Sequence, residues 1–106
     1  MDYLAWLVFV GAAVLEVGGD AIVRKGLRGS TLLIVLTGCC VLGAYGVVVN
    51  IVKWDFSKLL GVYVAVFAVV STLFGRYAFG ERISGATYIG LMLIVAGGMI
   101  IQFGGK

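Results

Sequence analysis

Residues 31–52 carry no charged side chain, and the only ionisable groups among them are Cys39, Cys40 and Tyr45. A helix rises 1.5 Å per residue, so this run is long enough to cross a hydrocarbon core of about 30 Å. Three more segments read the same way. The first covers about 3–23 and is interrupted by Glu16 and Asp20. The third covers about 59–79 with Arg76 near its end, and the fourth, about 85–103, is uncharged. Only 12% of the residues are charged, about half the share found in soluble domains, so there is too little polar surface to face water on all sides. The sequence predicts an all-α integral membrane protein of four short transmembrane helices in one domain over residues 1–106.

The connections, residues 24–30, 53–58 and 80–84, are short. They force consecutive helices to lie antiparallel and adjacent, and they leave no room for an extramembrane domain. The first segment is expected to be a retained helix rather than a signal peptide. Asp2 is the only charged side chain before it, so a basic leading region is missing. The apolar run also exceeds the usual leader length, and no clear small-residue cleavage site follows it.

Glycine occurs 17 times, mostly inside the spans. In lipid, small residues let helix backbones approach closely. Gly11, Gly18, Gly19, Gly38, Gly43, Gly46, Gly61 and Gly90 are the expected points of tight contact. Gly90 and Gly97 lie seven residues apart and share one face of the last helix. Trp6 and Trp54 lie near span ends, where amphipathic rings anchor at the interface.

Basic residues in short loops set membrane orientation. Lys53, Lys58 and Lys106 fall on one side, and Arg24, Lys25, Arg28, Arg82 and Arg76 on the other, three against five. The bias places the termini outside the cytoplasm, but so even a balance also permits insertion in both orientations and an antiparallel homodimer. The net charge of +3 comes from these flanks. No basic stripe lies on an extramembrane surface, so nucleic acid is not an expected partner.

The chain contains no histidine, which removes the commonest general base and metal ligand at neutral pH. Cys39 and Cys40 are neighbours on a helix and point about 100° apart, which suits neither a disulfide nor a zinc site. They are read as small hydrophobes. The G-x-x-x-x-G-K-[ST] phosphate loop is absent. No cofactor, no metal and no enzymatic activity are expected.

Glu16 is the residue on which chemistry most depends. With the first span at 3–23 it lies about 4–5 Å from the midplane by helical rise. A charge placed there costs roughly 2.5–3.5 kcal/mol on insertion scales. Such residues face a bundle interior or wet cavity and mark an ion, proton or substrate path. A carboxyl at that depth can exchange a proton for a cation; its structural alternative is a neutral acid bonded to a neighbouring helix. Asp20 lies one turn on and Arg24 a further turn, forming a ladder from mid-membrane to the loop. Asp20 is either a second acidic site in the cavity or an interfacial partner of Arg24 or Arg76. Tyr63 is expected to line a cavity beside Glu16. Tyr45, Asn50, Ser71, Thr72, Arg76 and Tyr77 are read as helix–helix hydrogen bonds or interfacial groups. Phe9, Phe67 and Phe74 offer rings to an organic cation, although lipid-facing packing is the simpler reading of each.

Several of these residues resemble one family. Ala13-Val14-Leu15-Glu16-Val17 resembles the A-x-x-E-V signature of the small multidrug resistance family, in the drug/metabolite transporter superfamily. Arg24 stands where that family has a Lys, and Gly26-Leu27 resembles the glycine-aromatic turn that follows. Gly80-Glu81-Arg82 resembles its turn before the last span. Residues 90–98, Gly-Leu-Met-Leu-Ile-Val-Ala-Gly-Gly, resemble its fourth-helix dimerisation motif. The chain departs from the family pattern at the third helix. There Gly61-Val62-Tyr63-Val64-Ala65-Val66-Phe67 stands for a run that normally carries Pro and Trp. Asp20 also replaces a position usually small or hydroxylated.

The resemblance implies an antiparallel, dual-topology homodimer in the cell (inner) membrane. The two copies of Glu16 would share one pocket, and Gly90 and Gly97 would be dimer contacts. Function then reads as proton-coupled antiport of a small organic cation, with Glu16, Asp20 and Tyr63 as proton and substrate ligands. The alternatives are a carrier of a zwitterionic or lipid-linked substrate and a non-transporting subunit of a larger membrane complex.

Overall fold

The computed structural model describes residues 2–104, so Lys106, counted in the charge bias, lies outside the described residues. Four α-helices follow one another: α1 (Asp2–Arg28), α2 (Leu32–Val49), α3 (Phe56–Tyr77) and α4 (Gly85–Gly104). No strand occurs among the described residues. All four helices are long and apolar enough to cross a membrane. Their outward faces carry side chains such as Leu33 and Leu93, 74% and 70% exposed. Rows of apolar groups this open find a compatible solvent in hydrocarbon, where each helix satisfies its own backbone. The protein is an integral membrane protein.

The helix ends differ from expectation for local reasons. Residues 24–28, expected in a loop, continue α1. Arg24, Lys25, Leu27 and Arg28 are good helix formers, and the cations favour a helix C-terminus. The break comes at Gly29, with Ser30 in the left-handed region at φ 56° and the Thr31 N–H bonded to the Gly26 carbonyl at 2.9 Å. α2 stops at Val49 rather than Val52, where the Asn50 side-chain amide donates to the Gly46 carbonyl at 2.8 Å. α3 begins three residues earlier than expected, with Asp55 at its N-cap and the Asp55 carbonyl accepting the Leu59 N–H at 2.8 Å. It ends at Tyr77, before Gly80 turns the chain at φ 65°. The Ser84 hydroxyl accepts the Thr87 N–H at 3.1 Å and so caps the start of α4.

The chain divides into two compact units, residues 1–52 and 53–106, each a helical hairpin. In the first, α1 and α2 pack along a seam of small residues against larger ones. A methyl group on Gly19 would lie 2.9 Å from Leu42 Cγ and Cδ2. One on Gly26 would lie 2.7 Å from both the Val35 backbone N and its Cγ2, and one on Gly38 would lie 2.8 Å from the Val23 backbone N. The numbers of each facing pair (19 and 42, 23 and 38, 26 and 35) add to 61. The same antiparallel register brings Ala12 opposite Val49, both almost fully buried. On α1 the layers 12, 16, 19, 23 and 26 follow the alternating three- and four-residue spacing of a helix seam.

In the second hairpin, α3 and α4 meet where Gly98 faces the Ala65 Cβ and Gly61 faces the end of Ile101. Leu59, Val62, Tyr63 and Ala65 are buried on α3, and Gly98 and Gln102 on α4. The glycine expectation therefore holds in part. Gly19, Gly38 and Gly61 are tight contacts, and Gly26 and Gly98 join them. Gly11, Gly18, Gly43, Gly46, Gly90 and Gly97 have open space where a methyl group would stand. The reason is phase: each helix of a pair has one contact face, and these six lie off it.

Candidate functional site

Glu16 lies one residue past the midpoint of α1 and is half-buried. Its position follows from the seam. Counting by the register of 61, Glu16 falls opposite Tyr45, which is also half-buried. The layers on either side are Ala12 with Val49 and Gly19 with Leu42, so Glu16 and Tyr45 form a polar rung between apolar layers of the seam. Tyr45 lies within electrostatic range of both Glu16 and Asp20. A phenol donates one hydrogen bond and a carboxylate only accepts, so the rung pairs complementary groups across the two helices.

Asp20 follows Glu16 by one turn and is exposed. Among the described residues it forms no ion pair with Arg24. Of the interfacial pairings open to it in the sequence, the one with Arg24 is therefore not made among the described residues. The same hairpin thus holds two carboxylates and a phenol within about one helical turn.

Tyr63, expected beside Glu16, belongs to the other hairpin. It is 3% exposed, with its ring tilted 36° against Phe67 at 6.3 Å between centroids. The tyrosine facing Glu16 across its own hairpin is Tyr45, one of the side chains expected as helix–helix hydrogen bonds or interfacial groups. The signal that finds it is heptad spacing: positions 35, 38, 42 and 45 on α2 mirror 26, 23, 19 and 16 on α1.

The other polar side chains bond locally. The hydroxyls of Ser71 and Thr72 both donate to the Ala68 carbonyl, at 3.1 and 2.8 Å, and Asn50 bonds Gly46 as described. The sequence reads these side chains as helix–helix hydrogen bonds or interfacial groups, and the bonds they make are within their own helices. In an apolar setting the carbonyl three or four residues back on the same helix is the nearest acceptor. Phe9, expected to face lipid, is fully buried and packs edge-on against Trp6 at 6.2 Å. The Arg76 guanidinium lies over the Tyr77 ring at 5.4 Å, and Lys58 over Trp54 at 4.8 Å. Both cation–ring pairs sit at helix ends, where interfacial anchors belong. Cys39 and Cys40 are exposed on α2. Among the described residues no group of three or more Cys, Asp or Glu side chains is placed to hold a metal ion.

Gly90 and Gly97, the expected dimer contacts, share a face of α4, and a methyl group on either would meet nothing within 4 Å among the described residues. Gly98, beside Gly97, is the residue that meets α3.

No family model and no solved structure matches the chain. Curated relatives do. It is 36% identical over 99 residues to a UPF0060 membrane protein of Mycolicibacterium vanbaalenii, covering 92% of each chain. It is 34% identical over 99 residues to one of Saccharopolyspora erythraea and 32% over 99 residues to one of Mycobacterium marinum, each match covering 92% of this chain and 90% of the relative. At this identity over nearly the whole length, the chain belongs to the UPF0060 membrane protein family.

Proposed function

We propose that this protein is a proton-coupled secondary transporter of the small multidrug resistance type, exporting a small organic cation across the inner cell membrane. The observation that carries this reading is the single polar rung of the α1–α2 hairpin. A carboxyl in mid-span is costly to place, and here it faces a phenol rather than a basic residue that would neutralise it permanently. Glu16 holds a proton when the site is empty and gives it up as a cation enters, so the two ligands compete for one carboxylate. Tyr45 orients that carboxylate by offering it a hydrogen bond, and Asp20 extends the acidic path one turn toward the surface.

The working unit is an antiparallel homodimer, with two copies of Glu16 at one pocket. The near-even distribution of basic residues between the two sides supports dual insertion. The open Gly90 and Gly97 face of α4 supports a helix contact between copies.

The test is uptake of a fluorescent organic cation into vesicles containing the purified protein, driven by an imposed pH gradient. Wild type should accumulate the cation against its gradient, and Glu16→Gln should show only the leak of empty vesicles. Gradient-driven uptake retained in Glu16→Gln would overturn the reading.

A further inference from the structure

The α1–α2 turn gathers three cations that the proposed transport chemistry does not use. At 3.6 residues per turn, Arg24, Lys25 and Arg28 fall within roughly 100° of arc, on the side of α1 opposite Gly26. Gly26 is the residue that meets α2, so all three side chains point away from the hairpin, and all three are exposed. Among the described residues none of them forms an ion pair.

Their depth is equally specific. Measured by helical rise from the middle of α1, they lie about 14–20 Å out. Half a hydrocarbon core is about 15 Å, so the cluster stands at the level of lipid phosphates. Leu27, Leu32 and Leu33 flank it, 66%, 70% and 74% exposed. A soluble anion has no use for such neighbours, whereas a phospholipid has both a phosphate for the cations and acyl chains for the leucines.

We infer that the Arg24, Lys25 and Arg28 face of the α1–α2 turn binds the headgroup of an anionic phospholipid. The guanidinium groups grip phosphate oxygens with paired N–H donors, and Lys25 adds a point charge. The site is independent of Glu16 and of the direction of transport.

The experiment is native mass spectrometry of the full chain in detergent, titrated with phosphatidylglycerol or with phosphatidylcholine of the same acyl chains. Wild type should retain phosphatidylglycerol several-fold more strongly. Lys25→Gln and Arg28→Gln should each weaken it about fivefold, from about 1 kcal/mol per cation near an anionic surface. The triple variant Arg24→Gln/Lys25→Gln/Arg28→Gln should lose the preference, while Arg82→Gln keeps it. Helical content by circular dichroism identifies variants that are folded, and the single variants decide the matter if the triple variant is not. Equal retention of the two lipids would overturn the inference, as would a preference that survives in folded variants. Full displacement of phosphatidylglycerol by millimolar inorganic phosphate would mark a free-anion site instead and would also overturn it.

Discussion

Glu16 and Tyr45 occupy facing positions in the register that pairs Gly19 with Leu42 and Gly38 with Val23. A carboxylate and a phenol thus share one layer of a two-helix seam whose neighbouring layers are apolar.

Removing the phenol hydroxyl alone isolates its contribution. A hydrogen bond to a charged group contributes roughly 1.5–3 kcal/mol, so Tyr45→Phe should raise the apparent KM for a transported cation by about tenfold or more. Thr37 donates to the Leu33 carbonyl on the outer side of α2, and Thr37→Val should leave the KM unchanged. Equal KM values for wild type and Tyr45→Phe would remove Tyr45 from the site without touching the role of Glu16.

The seam glycines differ from the open ones in what they contact. A methyl group on Gly38 meets backbone as well as side chain of Val23, and backbone cannot rotate away. Gly38→Ala should destabilise the protein by about 1–3 kcal/mol, seen as a lower midpoint in detergent-denaturant titrations. Gly43→Ala, with open space around it, should stay within about 0.5 kcal/mol of wild type.

On α4, adjacent glycines should separate association from folding. Gly97→Leu should reduce cross-linked dimer in membranes while leaving monomer helicity intact. Gly98→Leu, built against Ala65 Cβ, should lower the thermal midpoint of the α3–α4 hairpin itself. Undiminished cross-linking in both Gly90→Leu and Gly97→Leu would remove this face from the dimer contact.

The start of α4 offers a local test. Ser84 supplies the oxygen that accepts the Thr87 N–H, and losing such a cap costs about 1 kcal/mol. Ser84→Ala should therefore speed amide exchange in the first turn of α4, read by hydrogen–deuterium exchange, with little effect on the other helices.

The four spans were legible because charge is excluded from hydrocarbon so strongly that the apolar runs mark themselves. Glu16 was legible for the converse reason, as a carboxyl where none is cheap. The helix ends were less so, since Arg24 and Lys25 are polar and read as loop although they favour helix. Tyr45 was hidden because its significance depends on which face of α2 meets α1. That phase is set by Gly26 and Gly38, whose close approaches appear only when both helices are placed. Gln102, buried on α4, was passed over for a similar reason: a single amide near a span end gives no sign of which way it faces.

The alternation of small and branched residues along α1 and α2 also fixes how far one helix can slide past the other. A shift of one layer in either direction would set Glu16 against Leu42 or Val49, and Tyr45 against Gly19 or Ala12. The carboxyl would lose its phenol, and both polar groups would face apolar residues. One costly polar layer thereby excludes neighbouring alignments that the apolar layers alone would tolerate. The residue proposed to exchange protons would thereby also act as the registration mark of its own hairpin.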